Sequence, residues 1–297
     1  MRTPILRFAP SPNGYLHLGH ALSALMGYET ARSQGGRFLV RIEDIDLART
    51  REACVSAILE DLAWLGLTWS EPVLRQSSRF AAYREAAGQL ADMGVLYPCF
   101  ATRAEIAAAA SRSSLHAKDP DGTPLYPGLY RGRNPTEMAR RRAAGEAAAM
   151  RLDMARALHL AAAKLGGKPL GFTERAPDGS IRRVVARPER WGDAIIQRKD
   201  TPTSYHLSVV VDDAFQGVTL VTRGTDLLAA TDIHRLLQVL LDLPEPTYAH
   251  HRLLLDTHGR KLSKSDGAKS LATLRSEGWT PADIRRSVGL GDKSLIA

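Results

Sequence analysis

The chain has 297 residues, 44% of them hydrophobic and 24% charged, which is typical of a globular protein with one large domain or two smaller ones. Its 40 Lys and Arg against 32 Asp and Glu give a net charge of +8, which fits a nucleic-acid partner, an anionic ligand or merely a soluble basic surface. Only two cysteines and no signal-peptide-like or membrane-spanning apolar run argue against a secreted, disulfide-built or membrane protein, so we expect a cytoplasmic one.

The start of the chain predicts a strand, a helix and a second strand. Residues 5–8 form a short apolar run before a Pro-Ser-Pro-Asn-Gly turn, and residues 18–33 carry apolar side chains at helical spacing before Gly35-Gly36. Residues 37–42 (RFLVRI) are typical of a buried strand. Such a βαβ unit predicts a parallel sheet in an α/β protein.

The rest of the chain predicts further elements and a change of character in the middle. Helices are predicted at residues 49–65, 77–93, 104–110, 231–241 and 282–288, and strands at residues 181–185, 208–211 and 218–221. Residues 97–190 combine an alanine-rich helix, a Pro/Gly/Asp loop and an arginine-rich stretch. We therefore expect this segment to be an insertion between two halves of the sheet.

The segment His17-Leu18-Gly19-His20 stands where the first predicted helix begins. A helix N-terminus offers unpaired N–H groups and the positive end of the dipole, which suit a phosphate. Gly19 permits close approach of a base or ribose, and the two histidines can donate hydrogen bonds to phosphate oxygens. An ordinary polar helix start explains the same four residues, so the segment is weak evidence by itself.

The segment Lys261-Leu262-Ser263-Lys264-Ser265 lies near the end, with Gly259 before it and Gly267 after it. Two ammonium groups on a glycine-flanked loop can close over a triphosphate and neutralise a departing pyrophosphate. A solvated surface loop is the alternative. The two segments together, in this order on an α/β fold, predict an ATP-using enzyme.

Together these segments resemble the two signature sequences of the class I aminoacyl-tRNA synthetases. Four further segments narrow the resemblance to the glutamyl group: Arg7-Phe8-Ala9-Pro10-Ser11-Pro12, Arg41-Ile42-Glu43-Asp44-Ile45-Asp46, Val209-Val210-Val211-Asp212-Asp213 and Thr222-Arg223-Gly224-Thr225-Asp226-Leu227. The resemblance covers nearly the whole chain and is weakest in the middle insertion. It implies a Rossmann-type catalytic domain in two halves (1–96 and 191–245), an α/β insertion (97–190), and a lysine loop with a short helical C-terminal segment (246–297).

The resemblance also implies a glutamate site. Arg7 and Arg223 are the candidate partners of the two carboxylates, because guanidinium groups match carboxylates bidentately, and which arginine binds which carboxylate stays open. Glu43 is the candidate for the ammonium group. Hydrogen bonds and backbone contacts are expected from Phe8, Ala9, Pro10, Ser11 and Tyr205.

The same resemblance implies an ATP site built from the two signature segments. His17, Gly19, His20 and Lys264 are the expected ATP-binding residues, and His17, His20, Lys261 and Lys264 the expected catalytic ones. Lys264 would stabilise charge as the substrate carboxylate attacks the α-phosphorus and pyrophosphate leaves, with Mg²⁺ accompanying ATP.

The acceptor is inferred from the end of the sequence. Only 32 residues follow Ser265, whereas discriminating glutamyl-tRNA synthetases carry a large anticodon-binding region there. This resembles the truncated glutamyl-queuosine tRNA(Asp) synthetases, which activate glutamate without tRNA and transfer it to the queuosine base in the anticodon loop of tRNA(Asp). A short synthetase that charges the tRNA 3′ end and an inactive tRNA-binding homologue are the alternatives. We expect a monomer without a membrane partner.

The family's zinc site is incomplete in the insertion. The usual ligand pattern is Cys-x-Cys followed by Tyr and Cys four residues apart; Cys99 and Tyr126 match it, but Ala101 and Tyr130 occupy the other two positions. Because alanine cannot bind metal, we predict that zinc is absent and that packing holds the subdomain. His116 and Asp119 are the weaker alternative as substitute ligands.

The insertion is also basic. Its arginines include Arg131, Arg133, Arg140, Arg141, Arg142 and Arg151. Contact with tRNA phosphates and a merely solvated helix face explain this bias equally well.

Overall fold

The computed structural model describes residues 3–112, 117–255 and 269–291. The strands of these residues are β1 (Ile5–Phe8), β2 (Arg37–Ile42), β3 (Ser70–Arg75), β4 (Leu96–Cys99), β5 (Ala149–Leu152), β6 (Gly171–Arg175), β7 (Ile181–Val185), β8 (Ile195–Gln197), β9 (Leu220–Gly224) and β10 (Thr247–His251). The α-helices are α1 (Leu18–Ser33), α2 (Glu52–Trp64), α3 (Phe80–Asp92), α4 (Arg103–Ser111), α5 (Pro135–Ala143), α6 (Met154–Lys164), α7 (Tyr205–Phe215), α8 (Ala230–Leu240), α9 (Leu271–Ser276) and α10 (Pro281–Ser287).

Two groups of strands meet at the centre of the molecule. In the first group β2 pairs in parallel with both β1 and β3, and in the second β10 pairs in parallel with both β9 and β6. They meet where β1 lies beside β9: the Thr219 N–H donates to the Ile5 carbonyl at 2.9 Å, and the Ile5 N–H donates to Thr219 Oγ1 at 2.9 Å. The chain therefore leaves β1 for β2 on one side and returns much later as β9 on the other. In α/β sheets such a switch in strand order opens a crevice for ligands.

Burial is concentrated in two apolar clusters. The first packs α1 and α2 on β1 and β2, with Leu6, Leu25 and Val40 fully buried. The second lies among α3, α6, α7 and α8, with Leu90 and Leu236 at its centre. These clusters fix the strand ends whose loops line the crevice.

The structure confirms the predicted bounds of β1, α1 and β2 and corrects one predicted strand. Residues 208–211 were expected to be a strand but lie inside α7. Six of its eleven side chains are buried, including Ser208, Asp212 and Asp213. Its three consecutive valines, Val209, Val210 and Val211, are β-branched and so favour a strand, and packing overrides this preference.

The predicted insertion contains two different parts. Strands β4, β5 and β8 form an antiparallel sheet of their own. Strands β6 and β7 lie in the same segment of sequence, yet β6 pairs with β10 of the central strands. The domain boundaries given above stay predictions. Among the described residues no helix has the length and apolar character needed to cross a membrane.

One buried carboxyl between α2 and α9 predicts a pH-dependent stability. Asp61 is 0% exposed and neither of its oxygens has a hydrogen-bond partner in the described chain, although Arg275 lies 3.8 Å away. Burial raises the pKa of Asp61 to about 6, so its contribution to stability is lost as the pH rises from about 4 through about 6.

Asp61→Asn is therefore expected to raise the free energy of unfolding by about 1–3 kcal/mol at pH 8 and to change little at pH 4. Urea denaturation at both pH values measures this difference. Glu60→Gln, on the exposed side of the same helix, is the control and should have a small effect at either pH. An equal effect of Asp61→Asn at the two pH values would contradict the assignment.

Candidate active site

A cleft of about 490 Å³ opens at the carboxyl ends of β1 and β9, where the strand order switches. The loop after β1, the start of α1 and the end of β9 form its walls. The eight predicted glutamate-binding residues all line it: Arg7, Phe8, Ala9, Pro10, Ser11, Glu43, Tyr205 and Arg223. The histidine segment lines it too, through His17, Gly19 and His20. Their proposed roles stay predictions, but the fold brings these residues to one place.

The two histidines are fixed at the N-terminus of α1 by a reciprocal cap. The Gly19 N–H donates to His17 Nδ1 at 3.0 Å, and the His17 N–H donates to His20 Nδ1 at 3.2 Å. Because each Nδ1 accepts, the proton of each neutral ring sits on Nε2. A Cβ on Gly19 would lie 2.9 Å from His17 Cε1, so a side chain at this position would displace the capping ring.

The predicted lysines, Lys261 and Lys264, lie outside the described residues. The segments that flank them are attached to the start of α1. The Leu271 N–H donates to the Leu16 carbonyl at 2.8 Å, and Ser23 Oγ lies 2.8 Å from His251 Nε2. The described residues before and after this segment thus contact α1 or the residues just before it.

A buried charge network supports one wall of the cleft. Asp213 on α7 accepts hydrogen bonds from Arg7 Nε at 2.9 Å and from Arg41 Nη1 at 2.8 Å, and Arg41 Nη2 reaches Glu43 at 3.3 Å. Burial alone would raise the pKa of Asp213, but Arg7 and Arg41 outweigh it and hold the pKa below the usual value. The network fixes Arg7 and Glu43 with respect to one another.

Sequence reasoning assigned no role to Arg41 or Asp213. Both lie in segments that resemble the glutamyl group, and each is a charged residue next to a run of buried apolar ones. A charged residue in such a place needs a partner, and this pattern was the available indication.

Arg223 has different surroundings from Arg7. It is 5% exposed, and its N–H groups donate to His250 Nε2 at 3.4 Å, to His234 Nδ1 at 3.2 Å and to Thr231 Oγ1 at 2.6 Å. In the described part of the chain Arg223 has no carboxylate partner. A buried cation is costly without an anion, so this geometry suits an anionic ligand, and the role of Arg223 stays a prediction.

The match to known proteins agrees with this geometry. The model of the catalytic domain of class I tRNA synthetases (E and Q) matches residues 5–290. The chain belongs to this family. It is therefore a ligase of the aminoacyl-tRNA synthetase type, and the predicted α/β class with a Rossmann-type parallel sheet is confirmed.

Individual relatives of this synthetase family are similar over nearly the whole chain. A glutamyl-Q tRNA(Asp) synthetase from Rhodobacter capsulatus is 47% identical over 96% of the chain and 100% of its own length. One from Symbiobacterium thermophilum is 39% identical over 94% of the chain and 83% of its own length. The crystal structure of a glutamate tRNA ligase from Elizabethkingia meningosepticum, in complex with its amino acid, superposes with a TM-score of 0.77 at 25% identity. The chain is covered completely and spans 63% of that ligase.

The zinc pattern of the synthetase family does not fit the residues found here. The Cys99 Sγ–H donates to the Tyr126 hydroxyl at 3.3 Å, and Ala101 is buried and has no ligand atom. At the fourth position, the Tyr130 ring lies 5.8 Å from the Phe100 ring. The Arg141 guanidinium stacks 4.1 Å above Phe100. These contacts fit a subdomain that is held by packing in place of a metal. The absence of zinc stays a prediction.

The structure divides the basic residues of the insertion into two groups. Arg131 pairs with buried Asp193, Arg141 pairs with Glu146, and Arg151 is buried over the Tyr126 ring. The other three are exposed and have no ion pair among the described residues: Arg133, Arg140 and Arg142. If the insertion contacts nucleic-acid phosphates, these three are the available cations among the six arginines named above.

The environment of Glu43 predicts a pH-dependent KM for the amino-acid substrate. Burial raises the pKa of Glu43, and Arg41 and Arg7 offset this only in part. If Glu43 binds the substrate ammonium, protonation removes the anion. We expect KM to rise as the pH falls, starting above the usual glutamate range of about 4 to 5.

In Glu43→Gln the KM should be raised by about 10- to 100-fold at neutral pH and should no longer depend on pH in this range. ATP–pyrophosphate exchange between pH 5 and 8 measures both effects. Glu52→Gln, an exposed partner of Arg75, is the control that should keep the wild-type profile. An unchanged pH profile in Glu43→Gln would contradict the role of Glu43.

Proposed function

We propose that the chain uses ATP to activate L-glutamate as glutamyl-adenylate and then transfers the glutamate to a tRNA. The observation that carries the proposal is Arg223, a buried guanidinium in the cleft whose hydrogen-bond partners among the described residues are all neutral. The buried charges at the base of the cleft are Arg7, Arg41 and Arg223 against Asp213 and Glu43. Their sum is positive by one charge, which complements glutamate and not the neutral glutamine.

The binding of glutamate follows from this arrangement. The two carboxylates meet Arg7 and Arg223, and the ammonium group meets Glu43, whose side chain is 9% exposed. Ser11 and Tyr205 line the same cleft and supply neutral hydrogen bonds. Burial of these groups strengthens each charge-assisted hydrogen bond and excludes competing water.

ATP binds at the N-terminus of α1 with its phosphates towards His17 and His20. The helix dipole and the Nε2–H groups favour the negative charge that builds as the glutamate carboxylate attacks the α-phosphorus. Mg²⁺ accompanies the phosphates of ATP. The protein supplies position and electrostatic stabilisation and no nucleophile of its own.

Lys264 is proposed to neutralise the departing pyrophosphate. Lys264→Ala should lower ATP–pyrophosphate exchange by about 100-fold or more while the unfolding transition is unchanged. Lys269→Ala is the matched control, because Lys269 is an exposed lysine paired with Glu277 at 2.7 Å. Exchange at the wild-type rate in Lys264→Ala would refute the role.

For the acceptor, we propose the queuosine base of tRNA(Asp). The proposal is supported by the similarity to two relatives named glutamyl-Q tRNA(Asp) synthetase, one of which is matched over its entire length. Charging of the tRNA 3′ end is the second candidate, supported by the structural likeness to a glutamate tRNA ligase.

One experiment tests both steps. Exchange of labelled pyrophosphate into ATP with glutamate and without tRNA tests activation, and its absence would favour an inactive tRNA-binding homologue. Labelled glutamate is then supplied with tRNA(Asp) with and without queuosine, and with tRNA(Glu). After nuclease digestion, label on the anticodon nucleoside of queuosine-containing tRNA(Asp) alone supports the proposal. Label on the terminal adenosine of tRNA(Glu) would establish the second candidate instead.

A further inference from the structure

Three histidines surround the Arg223 guanidinium on the side away from solvent. His234 and His250 accept hydrogen bonds from it directly, and His206 Nδ1 lies 3.2 Å from His234 Nε2. His234 is 1% exposed and His250 is 9% exposed. We call His206, His234 and His250 the histidine shell.

Hydrogen bonds determine the tautomer of each ring in the histidine shell. His234 Nδ1 accepts from Arg223, so His234 carries its proton on Nε2 and donates to His206 Nδ1. His250 Nε2 accepts from Arg223, so its Nδ1–H donates to Glu174 at 2.9 Å. Every ring thus turns a lone pair towards the guanidinium or towards the ring that contacts it.

The histidine shell is also held in its neutral form. Burial lowers the pKa of His206 and His250 to about 4, and the charge of Arg223 acts in the same direction. Burial and Arg223 lower the pKa of His234 as well. The shell therefore accepts hydrogen bonds from two N–H groups of Arg223 without adding a negative charge or a second positive one.

The nearby acid is kept apart from Arg223. Glu174 accepts from His250 on one oxygen and from Arg182 on the other, at 2.9 Å and 2.6 Å. The imidazole of His250 stands between Glu174 and Arg223, and Arg182 neutralises the carboxylate locally. Within the described part of the chain, three of the five N–H groups of Arg223 have neutral acceptors and two have none, so these two can serve a ligand.

We propose that the histidine shell, through His234 above all, is a specificity-determining element that keeps the charge of Arg223 unneutralised, so that the cleft prefers an acidic amino acid to its amide. The inference rests on the proposed function, since it concerns the same amino-acid site. A carboxylate in place of the imidazole would neutralise Arg223 before substrate arrives. We assign the side-chain carboxylate of the substrate to Arg223, because glutamate and glutamine share the α-carboxylate. With Arg223 neutralised, this side-chain carboxylate would lose its partner, whereas the uncharged amide of glutamine would lose little.

A matched pair of variants isolates the charge. In His234→Asn the amide oxygen replaces Nδ1 as a neutral acceptor, and in His234→Asp a carboxylate oxygen of the same reach replaces it. Both variants lose the hydrogen bond to His206, so any packing effect is shared. The readout is kcat/KM in ATP–pyrophosphate exchange with glutamate and with glutamine, together with KM for ATP.

We expect His234→Asn to lower both activities while keeping the glutamate-to-glutamine ratio within about threefold of the wild type. In His234→Asp the ratio should fall by about 10- to 100-fold, through a higher KM for glutamate with an unchanged KM for ATP. Equal ratios in the two variants would overturn the inference, because the effect would then be structural. If the wild-type protein activates no glutamate, the proposed function fails instead, so the two failures are distinguishable.

Discussion

Replacing Arg223 by leucine is expected to lower kcat/KM for glutamate in ATP–pyrophosphate exchange by about 10²- to 10³-fold. The loss corresponds to one buried, charge-assisted carboxylate contact. Folding should be retained, because the partners of Arg223 in the described chain are neutral and no buried acid is left unpaired. The effect should appear mainly in KM for glutamate and spare KM for ATP.

Arg223→Lys is the matched control for this substitution. It keeps the positive charge but loses the planar fork, so an intermediate loss of about tenfold is expected. Thermal unfolding of both variants, compared with the wild type, separates loss of binding from loss of fold. A change of less than about threefold in Arg223→Leu would show that Arg223 does not hold a substrate carboxylate.

The first three elements could be predicted from local sequence signals. Residues 5–8, 18–33 and 37–42 were predicted as a strand, a helix that ends before Gly35-Gly36 and a second strand, and these bounds match the structure. Helix α7 was not recognised, because its run Val209-Val210-Val211 is typical of a strand and only packing against the rest of the fold favours a helix there. Strand β10 was missed because its Thr-Tyr-Ala-His-His sequence is polar. Its two histidines are buried by contacts with Glu174, Arg223 and Ser23, which come from distant parts of the chain.

The sequence allowed us to name candidate side chains that line the cleft. It did not allow us to name the side chains that hold them in position. Arg7, Glu43 and Arg223 could be named because the substrate chemistry asks for such groups. His206, His234 and Asp213 lie behind those residues and hold them in position. Nothing in the sequence shows which side chains will meet there. The partners of Asp213 and His234 lie on β1, β2 and β9, and His206 contacts His234 on α8, so these contacts exist only once the sheet and its helices have packed together.

Asp213→Asn is expected to be the most destabilising of the substitutions considered. Asp213 is the shared acceptor of Arg7 and Arg41, and Arg41 is fully buried. Removing the negative charge leaves two buried guanidiniums without their shared acceptor, although Glu43 and the charge of Asp212 still act on Arg41. Breaking such a buried pair costs about 3–5 kcal/mol. Urea denaturation at pH 7 measures the change. Asp242→Asn is the control: this exposed acid pairs with Lys164, and its loss should cost at most about 1 kcal/mol.

The loss of stability in Asp213→Asn should depend on pH in a defined direction. Because Arg7 and Arg41 hold the pKa of Asp213 below its usual value, its stabilising effect is present above the unfolded pKa of about 4 and is lost as the pH falls through the folded one. The difference between wild type and Asp213→Asn should therefore stay constant from pH 8 to pH 5 and narrow only below pH 4. If the difference narrowed near neutral pH, another group would be responsible. Since Arg7 also lines the cleft, the same variant should raise KM for glutamate. Asp213 would then both stabilise the fold and hold Arg7 in position for the substrate.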